Sequence, residues 1–333
     1  MANPPFELDP YIALSEESGF VDLAEWTSIT ITGNDRQAFL HNFCTNEIRS
    51  LAPGESREAF ITNVKGKIIG HGLVTCRNES LVLISVPQQA ATLIAHLDRY
   101  VIREDVQLHD STPSLAYILL GGTTRPIESA MSMAPTMDEG QSILRPLVNA
   151  EANLGELPVR WIGWDLLGPV FCGLVEVNIR DAGRAREALV EKQIQPCGEA
   201  AFHALRIEAG TPLFGVDFDD RNFPQEVGRN ERAISFTKGC YLGQETVARI
   251  DALGHVNQHL VGVRFSEDAA PNIGAELLRA GKTAGHVTST AYSPKLQAPL
   301  ALAMVRHEQC GVGTLLESPT GPCEVISLPL QRL

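Results

Sequence analysis

With 333 residues, the chain is too long for one simple core and predicts two or three domains. Hydrophobic residues make up 44% of the chain and charged residues 20%, which is ordinary for a soluble globular protein. The formal net charge of −13 argues against a broad surface for nucleic acid, because a polyanion would be repelled before contact.

The seven cysteines are scattered and form no C-x-x-C pair, so they indicate neither a disulfide framework nor a zinc site. A dispersed, odd number of cysteines is typical of a reducing compartment. Residues 1–10 contain no lysine or arginine and no apolar core, which excludes a signal peptide, and no apolar run is long enough to span a bilayer. We therefore expect a cytoplasmic protein with no membrane partner and no bound metal.

Strands and helices alternate in the first part of the chain, which predicts an α+β unit with a mixed or antiparallel sheet. The predicted strands cover 27–31, 59–62, 68–74 and 80–86, and the predicted helices cover 36–43 and 88–100. Asp35 can cap the first helix, and Thr45 and Asn46 are expected to close it. Asn63 and Lys65 supply turn chemistry between the second and third strands.

The middle of the chain gives weaker signals. Apart from a strand over 115–120, we expect a variable surface region over 121–153. A strand over 170–177 and helices over 182–193 and 198–208 follow, the first of these helices capped by Asp181.

The stretch 206–226 is irregular and rich in acidic residues. Such a long irregular segment is uncommon in a compact domain unless it is functional. Within it, Asp217, Asp219 and Asp220 are expected to be solvated turn residues.

The stretch 235–250, S-F-T-K-G-C-Y-L-G-Q-E-T-V-A-R-I, mixes glycines, a cation, a thiol and a carboxylate, and it suits no strand or helix interior. Lys238 and a helix N-terminus beside Cys240 would both favour the thiolate. The residues alone leave two interpretations open. Cys240 is either a small buried hydrophobe, as most free cysteines are, or a reactive thiol, with Cys76 as its nearest rival.

After residue 254 the pattern changes to short strands separated by Gly, Pro and Asn, which predicts a small barrel or sandwich. The predicted strands are 260–265, 276–279, 285–288, 300–305 and 314–316, and the tail over 319–333 carries no signal.

The octapeptide K-G-C-Y-L-G-Q-E resembles the signature of the YgfZ-type folate-binding proteins, which are relatives of the glycine-cleavage T-protein, an aminomethyltransferase. The blocks G-N-D-R-Q-A-F-L-H-N, N-V-K-G-K-I and R-I-E-A-G-T-P-L-F-G extend the resemblance over most of the chain. It implies an α+β fold with three lobes around a central channel and a C-terminal β-barrel. The implied domains are a folate-binding core of two interleaved α+β subdomains over 1–250 and a barrel over 255–333.

The resemblance also implies a site and partners. Cys240 becomes the expected functional thiol, and the expected ligand is tetrahydrofolate or a derivative. The residues expected to bind it are Glu226, Asn63, Lys65, Lys238 and Asn46. Glu226 follows Pro-Gln, and its carboxylate can accept paired N–H donors from a pterin. The implied partners are iron–sulfur proteins or cluster assembly factors.

Three functions stay open: a folate-binding accessory protein that supports iron–sulfur enzymes, an aminomethyltransferase, and an interaction module without chemistry. In T-proteins, two aspartates close the block that matches 63–71, and one of them assists aminomethyl transfer. Gly70 and His71 stand at these positions here, and His71 reads as a strand-turn residue. The resemblance therefore favours the accessory protein.

Overall fold

The computed structural model describes residues 7–133, 147–266 and 269–330. In these ranges the α-helices are α1 (Leu8–Ser15), α2 (Arg36–His41), α3 (Ala90–Asp98), α4 (Thr124–Ala130), α5 (Ala182–Glu191), α6 (Glu199–Glu208), α7 (Asn230–Ala233) and α8 (Gln244–Leu253). The strands before α8 are β1 (Ser18–Asp22), β2 (Thr27–Thr32), β3 (Ser56–Thr62), β4 (Ile68–Cys76), β5 (Leu81–Ser85), β6 (Gln107–Asp110), β7 (Leu115–Gly122), β8 (Met131–Met133), β9 (Asn149–Leu154), β10 (Leu157–Gly163), β11 (Phe171–Asn178) and β12 (Gln195–Pro196). The strands after α8 are β13 (Gln258–Phe265), β14 (Glu276–Arg279), β15 (Lys282–Ser293), β16 (Ala298–Arg306), β17 (Leu315–Ser318) and β18 (Gly321–Ile326).

The strands form two open sheets and one closed barrel. The first sheet has the order β3-β4-β5-β2-β6 and is antiparallel throughout. Helices α2 and α3 cover one face, where Leu40 and Leu93 pack with Ile29 and Leu83 in a fully buried core. Burial of these aliphatic side chains is what holds two short helices in place, since helices of this length are marginal alone.

The second sheet has seven strands in the order β12-β1-β7-β11-β10-β9-β8, and β1–β12 is its one parallel pair. Because β1 joins this sheet while β2 joins the first, the two units are interleaved along the chain. Tyr117 of β7 and Trp161 of β10 are both fully buried and belong to two separate cores that pack on this sheet. The division into a core over 1–250, made of two interleaved subdomains, and a barrel over 255–333 stays a prediction.

The barrel closes in the order β13-β16-β15-β14-β17-β18. β18 pairs with both β17 and β13, and this second pairing, Gly262↔Ile326, removes the free edges of the sheet. The predicted α+β class with a C-terminal β-barrel is confirmed. Within the described ranges, no helix is long and apolar enough to cross a membrane.

Several element boundaries differ from the sequence predictions. Helix α2 ends at His41, so Thr45 and Asn46 do not close it, and Asp181 makes no side-chain cap bond to α5. The region 121–153 holds α4, β8 and β9, except for 134–146, which lie outside the described residues. Strands β10 and β18 were not predicted from the sequence. β9 reads N-A-E-A-N-L without a β-branched residue, and pairing with β10 is what makes it a strand.

Candidate functional site

The K-G-C-Y-L-G-Q-E segment packs onto the turn between β3 and β4. Leu242 donates its N–H to the carbonyl of Asn42 at 2.8 Å, and Thr62 donates its hydroxyl to the Leu242 carbonyl at 2.7 Å. Gly243 has φ +83°, and a Cβ there would overlap the Asn63 carbonyl oxygen. A glycine is required here both for the left-handed backbone and for this close approach. The structure thus brings together two segments that the sequence marks separately.

Cys240 is exposed at this segment. Burial raises the pKa of the thiols of Cys44 and Cys76, and it raises the pKa of Cys172 to about 12 and of Cys197 and Cys323 to about 11. Cys76 is buried and is therefore no rival to Cys240, contrary to the sequence prediction. Of the seven thiols, Cys240 is the one that is fully exposed to a partner or reagent, while Cys197 and Cys310 are half-buried and the other four are buried.

Lys238, two residues before Cys240, is buried. Its ammonium donates to the carbonyls of His41, Cys44 and Asn46 at 2.6, 2.7 and 2.9 Å. An ammonium has three N–H bonds, and all three are satisfied here. Contact with a folate would require breaking one of these bonds. Activation of the Cys240 thiol by Lys238 finds no support in these contacts.

Asn46 is also bound within the protein. Its amide donates to the carbonyls of Glu58 and Arg232 at 2.8 and 2.7 Å, and its side-chain oxygen accepts the N–H of Glu47 at 2.8 Å. Together with Lys238 it ties the loop after α2 to the segment around α7. These bonds explain the burial of both polar side chains.

Glu226 ends a single turn of 3₁₀-helix, Pro224–Glu226, and is 5% exposed. Its Oε2 accepts the side-chain amide of Asn222 at 2.9 Å, the N–H of Phe223 at 3.1 Å and the side-chain amide of Gln258 at 3.4 Å. All the hydrogen bonds that the described residues make to this carboxylate go to Oε2. Oε1 is therefore available as a hydrogen-bond acceptor for a ligand.

Lys67 is the lysine beside Glu226. Its ammonium lies 3.3 Å from the centre of the Phe223 ring and donates to the Arg221 carbonyl at 2.6 Å. Burial lowers the pKa of Lys67, and the carboxylates of Glu226 and Asp219 oppose that shift. The predicted ligand residue of this turn, Lys65, is exposed, whereas Lys67 two residues later contacts the ring of Phe223.

Asn63 shapes that turn. Its side-chain oxygen accepts the N–H groups of Lys65 and Lys67 at 2.9 and 3.1 Å. Among the contacts of the described residues, none joins the side chains of Cys240 and Glu226. Gln225, the residue before Glu226, donates its side-chain amide to the Val247 carbonyl of α8 at 2.7 Å. This bond joins the Glu226 turn to the helix that follows the Cys240 segment.

A buried ion pair that sequence analysis did not predict lies beneath these segments. Glu58 of β3 accepts two hydrogen bonds from Arg229, at 2.8 and 2.5 Å, one from the His71 ring at 2.8 Å and one from Trp164 at 3.3 Å. Burial alone would raise the pKa of Glu58, but the charge of Arg229 and the bond to His71 hold it well below its usual range. His71 lies inside β4, within the predicted strand over 68–74, and its side chain is buried.

Asp217 also differs from the sequence prediction, which expected a solvated side chain. It is 2% exposed, and its carboxylate accepts hydrogen bonds from Arg206 at 2.8 Å and from Ser289 of the barrel at 2.6 Å. Thr288 donates to the same carboxylate at 2.8 Å. Asp217 therefore joins α6 to the barrel wall.

Arg229→Met is expected to destabilise the protein by about 3–5 kcal/mol, because it leaves the Glu58 carboxylate buried without its cation. Urea unfolding followed by circular dichroism measures the change. Arg232→Met is the matched control, since Arg232 pairs with Asp165 nearer the surface and should cost about 0–1 kcal/mol. Equal losses in the two variants would contradict the structural role given to Arg229.

Gly70 and His71 occupy the positions where the resemblance places acidic residues. A Cβ at Gly70 would lie 2.6 Å from the Leu93 side chain of α3, so this position faces a packed core. His71 faces the other side of β4 and is bound to Glu58. Neither position offers a carboxylate to a ligand.

Two protein-family models match this chain and indicate its class of protein. The model of the GCVT N-terminal domain matches residues 9–138, and the model of the glycine cleavage T-protein C-terminal barrel domain matches residues 258–330. The chain therefore contains both domains that define the T-protein architecture.

Individual relatives agree with this assignment. The aminomethyltransferase of Streptomyces avermitilis is 28% identical over 346 residues, which cover 98% of this chain and 90% of the relative. The aminomethyltransferase of Nostoc sp. is 25% identical, over 96% of this chain and 86% of the relative. The crystal structure of glycine cleavage system aminomethyltransferase T from Bartonella henselae superposes with a TM-score of 0.84 at 19% identity, covering 97% of this chain and 88% of that one. The chain has the T-protein fold.

Proposed function

We propose that the chain binds a reduced folate, with Glu226 receiving the pterin. The observation that carries this proposal is the Glu226 carboxylate, which is nearly buried and has hydrogen bonds to Oε2 alone. A pterin presents adjacent N–H groups, and a charged acceptor at this depth would bind them strongly. The T-protein domains and the relatives named aminomethyltransferase support a folate ligand.

Lysines at the neighbouring turn suit the rest of such a ligand. Lys67 lies beside Glu226 and Lys65 is exposed at the turn, in a chain that is otherwise acidic. A local pair of cations can attract the anionic tail of a folate although the net charge is −13. Asn63 holds the turn in shape. Lys238 and Asn46 would support the site through the loop that they bind.

Glu226→Gln and Glu226→Ala should each weaken binding of tetrahydrofolate by about tenfold or more, since a charge-assisted hydrogen bond contributes about 1.5–3 kcal/mol. Isothermal titration calorimetry on the full chain measures the affinity. Glu245→Gln is the matched control, because it removes the same charge from an exposed position on α8. Equal affinity in wild type and both Glu226 variants would remove Glu226 from the site.

The particular function that we propose is support of iron–sulfur cluster assembly or repair, with Cys240 as the working thiol. An exposed thiol in a glycine-bounded turn can bond to a partner's sulfur or metal without unfolding of its surroundings. The proposed partners are iron–sulfur proteins or cluster assembly factors. An interaction module without chemistry would have little use for such a thiol.

Aminomethyl transfer is the second candidate, and the names of the relatives favour it. Two residues argue against it. Gly70 and His71 stand where T-proteins have aspartates, and the His71 ring is hydrogen-bonded to Glu58. An activity assay separates the two candidates.

A further inference from the structure

Two histidines and a cysteine come together at one end of the barrel. His259 lies near the start of β13, His307 directly follows β16, and Cys310 comes three residues later. One ligand atom from each of these side chains lies within 4.8 Å of the other two. Within the described ranges, this is the one group of three or more histidine, cysteine or acidic side chains that converges in this way.

The barrel backbone holds this group in place. β13 and β16 are paired from Gln258↔Arg306 onward, which sets His259 beside the end of β16. The N–H of His307 donates to the Asn257 carbonyl at 2.9 Å. The Cys310 thiol donates to the His307 carbonyl at 3.0 Å, which keeps the sulfur over the short turn between them. The three side chains are therefore positioned by a paired sheet and a closed turn.

The donor set defines the class of ion. Two imidazole nitrogens and a thiolate suit Zn²⁺ and related borderline transition metals, and they do not suit Ca²⁺ or Mg²⁺. The ring nitrogens of His259 and His307 are 3.0 Å apart and share a hydrogen bond. With bonds of about 2.0–2.3 Å, a zinc ion fits among atoms at these separations after small side-chain rotations, and it takes the place of the shared proton.

The spacing of the ligands also fits a metal site. His255 precedes His259 by four positions, and Cys310 follows His307 by three, close to the paired spacing of structural zinc sites. The ring centres of His255 and His307 are 5.6 Å apart. His255 therefore packs against the His307 ring and lies outside the three converging ligands. The absence of C-x-x-C pairs does not exclude this arrangement, because its one close pair in the sequence is His307 and Cys310.

We propose that His259, His307 and Cys310 bind one Zn²⁺ per chain at the end of the barrel. The ion would tie the start of β13 to the turn that follows β16. Gln258, the neighbour of His259, reaches Glu226 at 3.4 Å, so the metal site borders the proposed folate site without sharing a ligand with it. The proposal does not depend on folate binding or on Cys240.

The test uses the full chain with Cys240→Ser, which removes the exposed thiol, after treatment with a chelator. We expect one Zn²⁺ per chain by elemental analysis and a rise in Tm when Zn²⁺ is added. Co²⁺ should give the intense d–d absorption of a tetrahedral site and a thiolate-to-cobalt charge-transfer band. Cys310→Ser should remove that band, and His307→Ala should weaken Zn²⁺ binding about 100-fold or more.

His286→Ala is the matched control, since His286 is an exposed histidine of the same barrel outside the group. It should bind Zn²⁺ as the parent does. Failure of the parent to bind a stoichiometric ion would overturn the proposal. So would retention of the cobalt–thiolate band in Cys310→Ser, or equal losses in His307→Ala and His286→Ala. His307→Gln provides a second variant at the same position should the alanine variant fail to fold.

Discussion

Cells that depend on the Cys240→Ala variant should lose the activity of their iron–sulfur enzymes while the variant itself stays folded. The side chain is exposed, so its truncation leaves no cavity, and surface changes of this kind usually cost within ±0.5 kcal/mol. The proposed chemistry, in contrast, has no other exposed thiol to use. The measurement is the activity of iron–sulfur enzymes in a host that lacks its own copy, with the variant's level and Tm checked in parallel.

Cys197→Ala is the control for this experiment, because Cys197 is half-buried and its burial raises the pKa to about 11. It should support the enzymes as wild type does. Brief labelling with iodoacetamide at neutral pH gives an independent readout, and we expect modification of Cys240 first. Full activity with Cys240→Ala, or labelling of another cysteine ahead of it, would contradict the role proposed for this thiol.

Turnover of an aminomethylated lipoyl carrier should be about 10²–10⁴-fold below that of a genuine aminomethyltransferase, which is the usual loss when a positioned acid/base group is absent. Gly70 offers no acceptor, and His71 is bound to Glu58. The assay follows formation of methylene-tetrahydrofolate, with the Streptomyces avermitilis relative as the positive control.

Gly70→Asp is not expected to restore the activity. Its Cβ would lie 2.6 Å from the Leu93 side chain, so the carboxylate would face the core between β4 and α3. Turnover of the wild-type chain comparable with that of the control enzyme would favour aminomethyl transfer over the accessory function. Folate binding through Glu226 would stand in either case, because both functions use that ligand.

Local patterns were sufficient to predict many of the elements. The strand pair around Asn63 follows from alternation and turn residues that lie within a few positions of each other, and β3 and β4 form there. β14 over Glu276–Arg279 has the predicted limits. The glycines at 239 and 243 marked a segment that must turn and approach another backbone closely, and Gly243 does so at the Asn63 carbonyl.

The burial of charged residues was decided by tertiary contacts. In the sequence, Glu58 is a polar residue at the end of a predicted strand, and nothing nearby indicates that it is buried. Its partner Arg229 lies 171 positions away. Asp217 sits in an acidic, glycine-rich stretch that resembles a solvated loop, yet Arg206 and the barrel enclose it. Lys238 similarly finds three carbonyls on a distant loop. A charge can be buried only where partners compensate for its lost hydration, and those partners come from separate parts of the chain. The pairing of β18 with β13 and the position of the histidine–cysteine group likewise join separate parts of the chain, and local periodicity does not contain them.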